Sequence, residues 1–79
     1  MLKRPLNPMP AFVRDALLKR ELMEAYRSRP AYQQNDYIGW IGRAKRQETR
    51  EKRLAQMLTE LEHGDMYMNM TYHPKLHSL

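Results

Sequence analysis

Gln47-Glu48-Thr49-Arg50-Glu51-Lys52-Arg53-Leu54-Ala55-Gln56-Met57-Leu58-Thr59-Glu60-Leu61-Glu62-His63-Gly64 is the stretch whose reading decides the fold. Leu54, Met57, Leu58 and Leu61 stand at offsets of zero, three, four and seven, the spacing of one helix face. Glu48 lies in the first turn, where a negative charge favours the helix dipole, and is spaced to pair with Lys52. Gly64 supplies a C-terminal stop. The spacing therefore predicts a helix over 47–63, packed on something through its leucine and methionine stripe.

Working upstream, only a residue or two near Arg46 separates this helix from an earlier periodic run. Tyr37, Ile38, Ile41 and Ala44 form the apolar face of that run, with Trp40 beside it. Gly39 and Gly42 each cost about 0.8–1 kcal/mol relative to alanine in a helix interior, so a close neighbouring backbone is the expected compensation. A short connection makes the two helices an antiparallel hairpin. Pro30 opens the first of them, and Ser28-Arg29-Pro30 ends what precedes, because a residue before proline avoids the helical region. Residues 11–27 carry Phe12, Ala16 and Leu17, then Leu22, Met23 and Tyr26, and read as two short helices with a break near Lys19–Arg20. Pro10 fits a first helical position. Residues 1–9 hold two prolines and no period, which reads as a flexible arm. After Gly64, the tail 65–79 alternates through Met66, Met68 and Met70. It is expected to lie extended over the helices or to trail from them, with no second strand to pair with.

The chain has 79 residues, enough for one domain and for a core only one contact layer deep. That leaves little room for a walled substrate pocket and argues against an enzyme. Cysteine is absent, so disulfides, thiolate metal sites and a cysteine nucleophile are excluded. The N-terminus has basic residues but no apolar run of signal length, and no segment is long enough to span a membrane. The expected location is the cytoplasm. Fourteen Lys and Arg against nine Asp and Glu give a net charge of +5, which favours acidic partners.

The segment from Tyr37 to Leu54 resembles the hallmark of the YdeI/OmpD-associated, or bacteriocin-protection, family. The matching features are an aromatic residue, Trp40-Ile41, Ala44-Lys45-Arg46, Glu48-Thr49-Arg50, and Arg53 before an aliphatic. Ala16-Leu17, Tyr26 and Arg29-Pro30 upstream, and Leu61 to Gly64 downstream, extend the resemblance over residues 10 to 64. Gln47 stands where the family often has proline, and Arg29 where it often has leucine. The separate N-terminal domain of larger members is not in this sequence. The resemblance implies a compact helical domain at 10–64 and an association with envelope stress and antimicrobial-peptide resistance. It implies no catalytic residues.

The densest charge is Arg43, Lys45, Arg46, Arg50, Lys52 and Arg53, relieved by Glu48 and Glu51. At the tip of a hairpin these residues would converge on phosphate or carboxylate, with Trp40 and Tyr37 near enough to stack on a base. The competing reading is a solvated face with ion pairs worth at most about 1 kcal/mol each. In a hairpin turning near Arg46, facing residues have numbers summing to roughly 92. Arg53 is then expected to pair with Asp36 or to stack on Trp40, and Arg50 to face outward. Gly39-Trp40-Ile41-Gly42 resembles the loop of KH domains but lacks their strands. A helix-turn-helix is disfavoured because 47–63 turns acidic at Glu60 and Glu62. Met66, Met68 and Met70 with His63, His73 and His77 would suit a soft metal, but methionine more commonly fills irregular core gaps. Asp36 beside Tyr37 reads as a helix-face charge rather than a general base.

The expectation is an all-α bundle of three or four helices with a core of Phe12, Leu17, Leu22, Tyr26, Tyr37, Ile38, Ile41, Leu54, Met57, Leu58 and Leu61. It needs no cofactor and no metal. Its expected function is to bind an acidic protein partner or other anion through Trp40, Arg43, Lys45, Arg46, Arg50, Lys52 and Arg53. Non-specific nucleic-acid binding by the same surface is the alternative.

Overall fold

A computed structural model describes residues 6–72. Four helices run α1 (Ala11–Lys19), α2 (Met23–Ser28), α3 (Ala31–Gly42) and α4 (Gln47–His63), followed by two short strands, β1 (Met66–Tyr67) and β2 (Met70–Thr71). Helix makes up 66% of these residues.

The helix ends follow local backbone rules. Pro10 caps α1 from outside, its carbonyl accepting from the N–H groups of Val13 and Arg14. It thus sits one place before the first helical position expected for it. α1 closes in a Schellman arrangement: the Leu22 N–H donates to the Leu17 carbonyl at 2.8 Å and the Glu21 N–H to that of Leu18 at 3.1 Å. This puts Glu21 at a φ of 57°, a left-handed position usually given to glycine. Arg29 is extended before Pro30, as the proline ring demands, and separates α2 from α3. Gly64 takes a φ of 83° at the end of α4 and donates to the Glu60 carbonyl.

α3 and α4 form the antiparallel hairpin. The connection is Arg43 to Arg46, longer than the expected residue or two, and Ala44 is buried within it rather than on α3. Gly39 is closely approached, but by a side chain of the N-terminal arm rather than a backbone. A Cβ there would lie 2.7 Å from Asn7 Nδ2. Asn7 is held by Asn35, whose Oδ1 accepts from the Asn7 backbone N–H at 2.7 Å. Gly42, at the end of α3, has open space around it.

Val13, Leu17, Leu22, Tyr26, Tyr37, Ile38, Ile41, Met57, Leu58 and Leu61 make the core, with Leu54 packed at its edge. Phe12 is not in it: its side chain is 40% exposed. Val13 and Leu17, four residues apart, carry the inner face of α1, so the stripe runs one residue out of phase with Phe12 and Ala16.

The tail departs most from expectation. β1 and β2 pair antiparallel, Met66 with Thr71 and Tyr67 with Met70. Met68 and Asn69 both adopt positive φ, 52° and 66°, as a two-residue hairpin turn requires. Asn-Gly is the usual signal for such a turn, and Met-Asn does not advertise it. The compensation comes from α4: the Glu60 carboxylate accepts both turn N–H groups, Met68 and Asn69, at 2.8 Å each.

Candidate functional site

The α3–α4 turn brings the basic residues together at one end of the molecule and sorts them into two groups. Arg53 is half-buried. Its Nη1 donates to the Trp40 carbonyl at 2.7 Å, and its guanidinium carbon lies 5.2 Å from the Trp40 ring centre. Of the two expected arrangements, stacking on Trp40 is the one formed; the Asp36 carboxylate instead accepts from the Tyr67 hydroxyl at 2.9 Å. Arg50 does not face freely outward. It is half-buried, donating to the Ala44 carbonyl at 3.2 Å and leaning over Phe12 at 5.9 Å. These two arginines fasten α4 to the turn and to α1.

Arg43, Lys45, Arg46 and Lys52 are exposed, and their side chains make no ion pair or hydrogen bond among the described residues. The expected Glu48–Lys52 pair does not form; the ion pairs among these residues are Arg14–Asp15 and Arg20–Glu62. Trp40 is half-buried under Arg53, so that face of its ring is taken.

At the other end of α4 lies a buried polar network that the sequence did not reveal. Glu60 is 3% exposed, Arg29 is 6% exposed and Gln33 is fully buried. Besides the hairpin N–H groups, Glu60 accepts a very short hydrogen bond from the Tyr37 hydroxyl and one from Gln56 Nε2 at 3.0 Å. Burial raises the Tyr37 hydroxyl well above the ordinary tyrosine value, and the bond to Glu60 with its negative charge raises it further. Burial raises Tyr26 as well. Arg29 donates to Gln33 Oε1 at 3.1 Å and to the Glu60 carbonyl at 3.0 Å, and stacks over Tyr72 at 5.0 Å. No buried side-chain polar atom in the described residues lacks a partner. One clue lay in the sequence: Glu60 follows Met57 by three places and Gln33 precedes Tyr37 by four, which puts each beside its helix's apolar stripe.

An open groove of about 630 Å³ runs between α4 and the hairpin, bordered by Lys52, Gln56, Thr59, His63, Met66 and Asn69. Glu60 reaches it, but its oxygens are engaged by Tyr37, Gln56 and the hairpin. His73 and His77, weighed with the methionines as metal ligands, lie outside the described residues. None of the described helices is long and apolar enough to cross a membrane.

The fold and site define a class first: a small helical module whose central hairpin has a basic tip, closed at its far end by a β-hairpin. The chain belongs to the family described as bacteriocin-protection, YdeI or OmpD-associated, whose family model matches residues 8–64. No curated protein and no solved structure matches it.

Proposed function

We propose that this chain acts by binding rather than by catalysis, as an accessory protein that engages an acidic partner through the tip of the α3–α4 hairpin. The observation that carries this reading is the set of four exposed cations, Arg43, Lys45, Arg46 and Lys52, without partners among the described residues. Structural ion pairing accounts for none of them, and four like charges within one loop and the following turns repel one another until an anion arrives. Arg50 and Arg53, assigned to the same surface from sequence, set its shape by holding α4 against the turn. The N-terminal N–H groups of α4 have no side-chain cap and add to the positive potential there. The family's description names protection against bacteriocins and association with OmpD; an associating role in the cytoplasm under envelope stress agrees with it.

A phosphate chain is served less well. Arg53 already covers one face of the Trp40 ring, and Glu48 and Glu51 stand among the cations at the start of α4. The test is a pull-down from a lysate of the source cells, run with and without nuclease, using the native chain and the Lys45→Glu/Arg46→Glu variant. A protein retained after nuclease and lost with the variant is the expected result. Retention that requires nucleic acid, with a log–log salt slope near −3 to −5, would instead establish phosphate binding.

A further inference from the structure

Phe12 is a large aromatic side chain left 40% exposed, while Val13 beside it is fully buried. It forms one wall of a crevice of about 360 Å³ whose other walls are Gln47, Arg50, Glu51 and Leu54 of α4. The crevice adjoins the basic tip, since Gln47 directly follows Arg46. Its apolar lining comes from Phe12 and the half-buried Leu54. One wall is cationic: Arg50 spends one nitrogen on the Ala44 carbonyl and leans over Phe12, leaving other donors of its fork for a ligand. Beside Arg50 on the same helix stands Glu51, whose Oε2 accepts from Gln47 Nε2 at 2.8 Å. The volume is near the lower end of the range for ligand pockets. That suits one bulky side chain with its adjoining backbone, not a helix of roughly 10 Å diameter.

We propose that the Phe12–Leu54 crevice and the basic tip form one docking surface for a peptide segment that carries a bulky apolar side chain next to a carboxylate. This rests on the reading of the tip as an acidic-partner site and names the kind of partner. The apolar side chain removes the exposed faces of Phe12 and Leu54 from water. The carboxylate meets Arg50 and Arg46, where a fork-shaped donor suits two oxygens. The peptide's own N–H groups face Glu51, which would repel a second anion. The Arg50 and Arg46 cations with the Glu51 carboxylate close beside them thus select an isolated acid next to an apolar residue over an unbroken polyanion.

The test pans a phage-displayed library of random 12-residue peptides against the immobilised full chain, then measures the recovered peptides by fluorescence anisotropy. Recovered sequences are expected to place Leu, Ile, Phe or Trp within two residues of Asp or Glu. Changing that apolar residue to serine in the peptide, or Phe12→Ser in the protein, weakens binding about ten-fold. The peptide change gives the same readout with no demand on the folding of a variant. Changing the peptide's acid to its amide, or Arg46→Glu, weakens binding at least as much. Acid-dependent peptides that bind Phe12→Ser as well as the native chain would overturn the crevice while leaving the acidic-partner reading intact. No enrichment, or enrichment without any acid, would overturn both. A labelled 12-nucleotide oligothymidylate that binds more tightly than the best peptide would also overturn both and assign the surface to single-stranded nucleic acid.

Discussion

The two ends of α4 use charge in opposite ways. Toward its C-terminus, Glu60 is buried and all its bonds are made within the chain, to Tyr37, Gln56 and the β-hairpin. Toward its N-terminus, Arg50 and Arg53 are tied to the turn, but Lys52 and the three cations of the connection are exposed and have no side-chain partner among the described residues. A buried carboxylate without such bonds would cost several kcal/mol, so the fold must satisfy it. An exposed cation costs almost nothing, so the fold places no demand on it. Polar residues at the first end therefore report on folding, and those at the second are free to serve a partner.

The largest expected effect tests the buried end. Glu60→Ala leaves the Met68 and Asn69 N–H groups and the Tyr37 hydroxyl without an acceptor, and should cost about 3 kcal/mol. Urea unfolding measures the loss, and amide exchange should show the hairpin opening ahead of the helices. A change below 1 kcal/mol would mean that the hairpin holds itself.

Next comes alkaline pH. The Tyr37 hydroxyl is raised above its unfolded value by burial and by Glu60. Its stabilisation is complete below about pH 10 and is lost as pH rises beyond, because the unfolded chain gives up the proton first, at about 1.4 kcal/mol per pH unit. Tyr26 adds in the same direction. Thermal melts should fall above pH 10, and Tyr37→Phe should flatten much of that dependence.

The tied arginines are expected to rank by their contacts. Arg53→Ala gives up a 2.7 Å bond and a ring contact at 5.2 Å, for about 1 kcal/mol. Arg50→Ala gives up a 3.2 Å bond and a ring contact at 5.9 Å, for about 0.5 kcal/mol. Urea unfolding of both variants checks the order; the reverse order would show that α4 is fastened at Phe12 rather than at Trp40. Smallest of all, Lys45→Glu should change stability by less than about 0.5 kcal/mol, since the side chain is exposed and has no partner among the described residues. A larger loss would erase the contrast between the two ends.

Much of the frame was legible. The Leu54, Met57, Leu58 and Leu61 stripe with Gly64 predicts 47–63, and α4 runs Gln47–His63. The break near Lys19–Arg20 and the stop at Arg29-Pro30 both appear. Hairpin geometry put Arg53 within reach of both Asp36 and Trp40, and packing chose Trp40. Phe12 was misplaced because Phe12, Ala16 and Leu17 fit a helical period as well as Val13 and Leu17 do, and only packing chooses between the two. The β-hairpin was missed because its turn residues, Met68 and Asn69, are held in place by Glu60 from outside the turn.

By itself, the sequence determined three or four helical segments, the breaks near Arg20, at Arg29-Pro30 and at Gly64, and the antiparallel pairing of α3 with α4. These depend on periodicity over four residues and on backbone restrictions at proline and glycine, which neighbouring residues express without help. Only the tertiary structure decided which polar groups are interior and which cations stay free. Tyr37 and Glu60 are 23 residues apart, and Arg29 and the Glu60 carbonyl 31. Neither end of such a bond can be identified as buried until the other is in place, because burial is tolerable only for the completed pair.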